Sequence, residues 1–89
     1  SNLTILKLKN TNIKGRGINR LRNLDNLKRI NLVNSLFDDR YIDSLLKIAS
    51  LEKVYLYNEY KSFEKRNDSL TNTIIDFGYN EFKNLKNRI

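Results

Sequence analysis

Asp38, Asp39 and Asp43 place three carboxylates within six residues, and an oxygen-ligand cluster for Mg²⁺ or Ca²⁺ is the chemistry they suggest. Their spacing is not that of a calcium loop, and helix capping accounts for them: Asp38 or Asp39 as the cap, Asp43 in the first turn. Lys14-Gly15-Arg16-Gly17 has the residue types of a phosphate cradle or an Arg-Gly nucleic-acid contact. It lacks the spacing of a P-loop or a dinucleotide fingerprint and reads as a basic turn. The chain has no His and no Cys, which removes imidazole acid–base chemistry, disulfides and thiolate zinc sites. Nothing stands beside a Lys or Ser to activate it as a nucleophile. The residues predict neither an enzyme nor a metal or cofactor site.

What remains is charge. The 89 residues carry 17 Lys+Arg against 10 Asp+Glu, a formal net charge of +7. Such a balance suits an acidic protein partner, nucleic acid or an anionic membrane. It is also what an AT-rich genome produces by default, since Asn, Lys and Ile dominate the composition. No apolar run reaches the length of a membrane span and no signal peptide is visible, so a soluble, cytoplasmic location is expected. The chain has no Met, which places the expected natural start upstream.

The elements that would carry this charge follow a repeat. Leu27-x-x-Ile30-x-Leu32-x-x-Ser35-x-Phe37 has the same frame as Leu3-x-x-Leu6-x-Leu8-x-x-Thr11-x-Ile13, and the frame returns as Leu51-x-x-Val54-x-Leu56. Leu3 to Leu27 and Leu27 to Leu51 are both steps of 24 residues. Ile18 and Ile42, Leu21 and Leu45, and Leu24 and Ile48 keep the same step, so the register extends through the segments between the frames. A fixed period of this size means one supersecondary unit used repeatedly. A fourth frame, Ile75-x-Phe77-x-x-Asn80-x-Phe82, follows Val54 after 21 residues.

These frames resemble the leucine-rich repeat family, whose consensus is L-x-x-L-x-L-x-x-N/C/T-x-L. The resemblance implies an α/β fold: a right-handed solenoid with a parallel concave sheet of about four short strands and short helices or turns on the convex side. The repeats lie near residues 3–26, 27–50 and 51–71, with a terminal partial repeat at 72–89, in a single domain. Thr11, Ser35 and Asn80 take the polar ladder position. The third repeat departs from the pattern, with Glu59 at that position and Lys61 at the next inward one. Tyr60 or Phe63 would then supply the apolar contact, and Phe63 to Leu70 reads as irregular or short helix. Phe82, Leu85 and Ile89 are expected to close the core as a last amphipathic turn.

In-register strands align their outward residues in columns: Ile5, Arg29, Lys53 and Ile74; Lys7, Asn31, Tyr55 and Asp76; Lys9, Val33, Tyr57 and Gly78. The resemblance implies that this concave face is the ligand surface, and rigid strands independently suit that use. Lys7, Lys9, Arg29, Asn31, Lys53, Tyr55 and Tyr57 are therefore the candidate partner-binding residues. Tyrosines supply rigid, amphipathic contact area, and Arg and Tyr are over-represented in interface hot spots. The expected function is non-catalytic binding of an acidic or extended protein segment; the alternative is nucleic-acid or other polyanion binding through the basic surface. No capping motif precedes Leu3, which leaves Leu6, Leu8, Ile13 and Leu21 for missing repeats, a partner or self-association to cover.

Overall fold

A computed structural model describes residues 2–63 and 73–89. Four three-residue strands, β1 (Ile5–Lys7), β2 (Arg29–Asn31), β3 (Lys53–Tyr55) and β4 (Ile74–Asp76), form one parallel sheet in chain order. Leu6, Ile30, Val54 and Ile75 stand in one row across it. The pairings thus follow the 24-, 24- and 21-residue steps of the apolar frame. The backbone ladder outlasts the strands. Lys28 N–H donates to the Thr4 carbonyl (2.8 Å), Glu52 to Lys28 (2.8 Å) and Ile74 to Glu52 (2.9 Å). Leu8, Leu32 and Leu56 donate in the same way to Asn31, Tyr55 and Asp76, each at 2.8 Å.

Strands this short owe their position to what packs on them. The row through Ile30 and Val54 buries one face against Leu27, Leu32, Phe37, Ile42 and Leu45. The helix α1 (Ile42–Leu46) and a 3₁₀ turn over Ile18–Asn23 supply the packing layer. Asp38 caps the 3₁₀ turn Asp39–Tyr41 by accepting from Arg40 N–H at 3.0 Å, and Asp43 lies in the first turn of α1. Ala49, which the apolar spacing includes in the stripe, is exposed because α1 ends at Leu46.

After each of the first two strands the chain bends at an asparagine. Asn10 and Asn34 have φ of 59° and 54°, the left-handed region that asparagine enters more readily than most residues. The polar position follows. Thr11 Oγ1 donates to the Leu8 carbonyl (2.6 Å) and Ser35 Oγ to the Leu32 carbonyl (2.7 Å), and Ser35 also accepts from Phe37 N–H. In the third repeat Asn58 does this work, one residue before the expected Glu59. Its Nδ2 donates to the Ser35 carbonyl (2.8 Å) and its Oδ1 accepts from Tyr60 N–H (2.9 Å). An amide can both donate and accept, which an ionised carboxylate cannot. Tyr60 is exposed, and Phe63 makes the apolar contact, tilted against Phe77 at 6.0 Å. The path read for Phe63 to Leu70 falls largely outside the described residues.

The final repeat differs from expectation. Asn80 begins the helix α2 (Asn80–Leu85) and is exposed, so it is no ladder residue. Phe82 does not close the main core. It is buried with Val33, Tyr55 and Ile89 in a second cluster. Val33 and Tyr55 belong to the sheet face opposite the main core, so α2 lies across from α1.

Gly15 marks a tight contact between neighbouring turns. At φ 109° a Cβ there would sit 2.6 Å from Phe37 Cε1. Gly15→Ala is expected to lower stability by roughly 1–3 kcal/mol through strain and overpacking. Leu36→Ala, at a half-exposed side chain, is expected to stay within about 0.5 kcal/mol. Urea denaturation of the two variants separates the outcomes.

Candidate functional site

The second sheet face carries Ile5 and Lys7, Arg29 and Asn31, Lys53 and Tyr55, Ile74 and Asp76 in register. Beyond the strand ends Lys9, Val33 and Tyr57 continue the columns. The structure divides the seven candidate residues into two groups. Lys7, Lys9 and Arg29 are exposed. Asn31 and Tyr55 are fully buried, as is Val33 beside them, and Lys53 and Tyr57 are half-buried. The exposure expected of Asn31, Val33 and Tyr55 is absent because residues 79–89 lie across this face.

That cover is both apolar and polar. Phe82 and Ile89 are buried against Val33 and Tyr55, with Leu85, Ile5 and Tyr57 packed at the margin. The Tyr79 ring meets Tyr57 edge-on at 4.9 Å and Phe82 at 6.0 Å. Asn31 Nδ2 donates to the Ile89 carbonyl at 3.1 Å, while its Oδ1 accepts from Val33 N–H at 3.0 Å. A buried amide in the middle of an apolar patch is thereby satisfied at both ends. Lys9 Nζ reaches the Lys86 carbonyl at 3.4 Å.

One carboxylate fixes the other end of the segment. Glu81 Oε2 lies 2.5 Å from Lys53 Nζ, and Glu81 Oε1 accepts from the Tyr55 hydroxyl at 3.3 Å. Asp76 stands 3.9 Å from the same ammonium. The hydrogen bond from Lys53 holds the Glu81 carboxyl below its ordinary value. Burial, followed by the nearby Glu81 charge, pushes the Tyr55 hydroxyl up. Neither perturbation prepares a group for proton transfer; both follow from packing and pairing. Lys7 and Arg29 make no ion pair among the described residues.

Other places offer less. A hollow of about 220 Å³ opens between Tyr57, Lys61, Phe63 and Phe77. Its ammonium, Lys61 Nζ, donates to the Phe37 carbonyl and lies 4.8 Å over the Phe63 ring. Among the described residues no group of His, Cys, Asp and Glu could hold a metal ion, and no helix is long and apolar enough to cross a membrane. Leu6, Leu8, Ile13 and Leu21, at the β1 edge, are half-buried.

Comparison of the chain with protein-family models, curated proteins and solved structures finds no match. The assignment of a role therefore rests on the geometry above.

Glu81, Phe82 and Ile89 are the site residues that the repeat pattern hides. A signal for them exists in the spacing of Phe82, Leu85 and Ile89 at i, i+3 and i+7, which marks a helical face. The outward Val33, Tyr55 and Tyr57 form the apolar column such a face would cover.

Two outcomes follow. Tyr55→Ala is expected to destabilise the whole fold by roughly 3–5 kcal/mol, as for a large core side chain, in chemical denaturation. The Glu81 contribution is complete above the unfolded glutamate value of about 4.3 and is lost as pH falls through the lowered folded value. Acid titration followed by NMR is therefore expected to shift the Phe82 and Ile89 side-chain signals before global unfolding. In Glu81→Gln that early transition is absent.

Proposed function

We propose that this chain is a short leucine-rich-repeat solenoid that acts as a non-catalytic protein-interaction module, and that its sheet face takes an acidic segment of a protein partner. The repeated frame, the parallel sheet in chain order and the matching asparagine turns support the solenoid. Lys7 and Arg29 carry the binding assignment. They are exposed on adjacent strands, two residues apart in the pairing register, with no carboxylate paired to either among the described residues. Their backbone positions are fixed by the strand pairing, so a carboxylate that arrives orders only the side chains. Lys9, exposed beyond the end of β1, extends the same row.

A second reading has its own support. Lys14, Arg16, Arg20 and Arg22 are exposed away from the strands, so positive charge is not confined to one face. A polyanion such as nucleic acid would use charge spread in this way, and its affinity would fall steeply with salt.

The two readings separate in a capture experiment from nuclease-treated lysate. Protein binding through the sheet face predicts retention after nuclease treatment and a loss of about tenfold or more in Lys7→Glu/Arg29→Glu, since opposed like charges cost several kcal/mol. Unchanged capture by the double variant contradicts the sheet-face assignment. Loss on nuclease treatment alone favours the polyanion.

A further inference from the structure

The segment that covers the sheet face is poorly matched to it in charge. Residues 79–89 contain Glu81 but also Lys83, Lys86 and Arg88, and they lie on a face whose exposed ends are Lys7, Lys9 and Arg29. Glu81 is the residue of this segment that brings a carboxylate, and it is paired to Lys53 and Tyr55. At the other end Lys9 meets a backbone carbonyl of Lys86. Apolar contact and one ion pair hold the segment in place, while the segment and the exposed margin of the face both carry an excess of positive charge.

Its attachment is also narrow. The helix α2 spans six residues and has no side-chain cap. No backbone bond joins the segment to a strand among the described contacts; Asn31, Lys9, Lys53 and Tyr55 supply the polar links through side chains. Phe82 and Ile89 are its buried anchors, with Leu85 between them. Ordering a segment of this length costs conformational entropy that cancels much of what its few anchors contribute.

We propose that residues 79–89 occupy this face in the place of a ligand, and that the ligand is an acidic amphipathic helical segment of a protein partner. It presents apolar residues at i, i+3 and i+7, the sequence spacing of Phe82 and Leu85 on α2 and of Ile89 in the turn beyond it, a carboxylate at the Glu81 position, and further carboxylates where this chain has Lys83, Lys86 and Arg88. Helices dock in apolar grooves through this spacing. Such a segment keeps the apolar contacts and the Lys53 pair, and it brings negative charge to a face whose exposed margin is Lys7, Lys9 and Arg29. Its arrival displaces residues 79–89 and brings Asn31, Val33 and Tyr55 into the interface. The inference rests on the protein-binding reading above and adds the partner's form and the intramolecular competitor.

The probe is a labelled synthetic peptide of sequence 79–89 carrying Lys83→Glu, Lys86→Glu and Arg88→Glu, titrated with the full chain by fluorescence anisotropy. Binding is expected to tighten by about tenfold or more when the chain's own segment is weakened by Phe82→Ala, and again independently by Glu81→Lys, which leaves the apolar anchors intact. Lys7→Glu/Arg29→Glu is expected to weaken it by a similar factor, and the peptide of unaltered sequence to bind less tightly than the acidic one. Circular dichroism and denaturation of each variant exclude loss of the fold as the cause.

Peptide binding that both segment variants leave unchanged overturns the displacement while leaving the sheet-face reading standing. Failure of the acidic peptide to outbind a scrambled control overturns the helical partner, and the capture experiment then judges the sheet-face reading separately. Dimers of the Phe82→Ala or Glu81→Lys chain that exchange their segments, seen by sedimentation, overturn the partner in favour of a second copy.

Discussion

Val33 and Tyr55 sit on the sheet face that the main core does not reach, and the need to cover them governs everything after β4. Both are almost wholly buried, yet nothing in the first three strands can bury them. The main core occupies the opposite face, through Ile30 and Val54. A parallel sheet is stable when both faces are covered, and here residues 79–89 provide the second layer. The direction of α2, the pairing of Glu81 and the burial of Asn31 all follow from that requirement.

Charge then shapes what the cover leaves open. The segment brings Glu81 to Lys53 but leaves Lys7 and Arg29 without ion pairs among the described residues, at the end of the sheet nearest β1. In the solenoid proposed here, the sheet face therefore has a closed apolar centre and an open basic margin. The margin is exposed to solvent, whereas the centre lies beneath residues 79–89. These two parts of one face have different accessibility, and the account of function turns on that difference.

Much of this architecture is legible in the repeat itself. The step from Leu3 to Leu27 to Leu51 predicted the pairing of β1, β2 and β3 residue for residue, and the shorter step to Ile75 predicted that of β4. Apolar alternation in a short strand leaves few registers that bury the same side, which is why that reading transferred so directly. Polar turns were less legible. Glu59 occupies the position reached by counting, but Asn58 has the amide that can both donate and accept, so the local chemistry moved the role by one residue. Phe82 departs from its expected place for a different reason. The frame from Ile75 to Phe82 matched the repeat pattern, while Phe82, Leu85 and Ile89 also matched a helical face, and spacing alone does not say which core receives it. Tertiary burial decided in favour of Val33 and Tyr55.

The central claim is that residues 79–89 lie on the sheet face in solution, and nuclear Overhauser contacts test it most directly. The account predicts cross-peaks from the Ile89 and Phe82 side chains to the Val33 methyls and the Tyr55 ring, with the Asn31 side-chain amide close to Ile89. Cross-peaks from Phe82 and Ile89 to Ile30, Leu45 and Val54 instead, with Val33 and Tyr55 open to solvent, would contradict it.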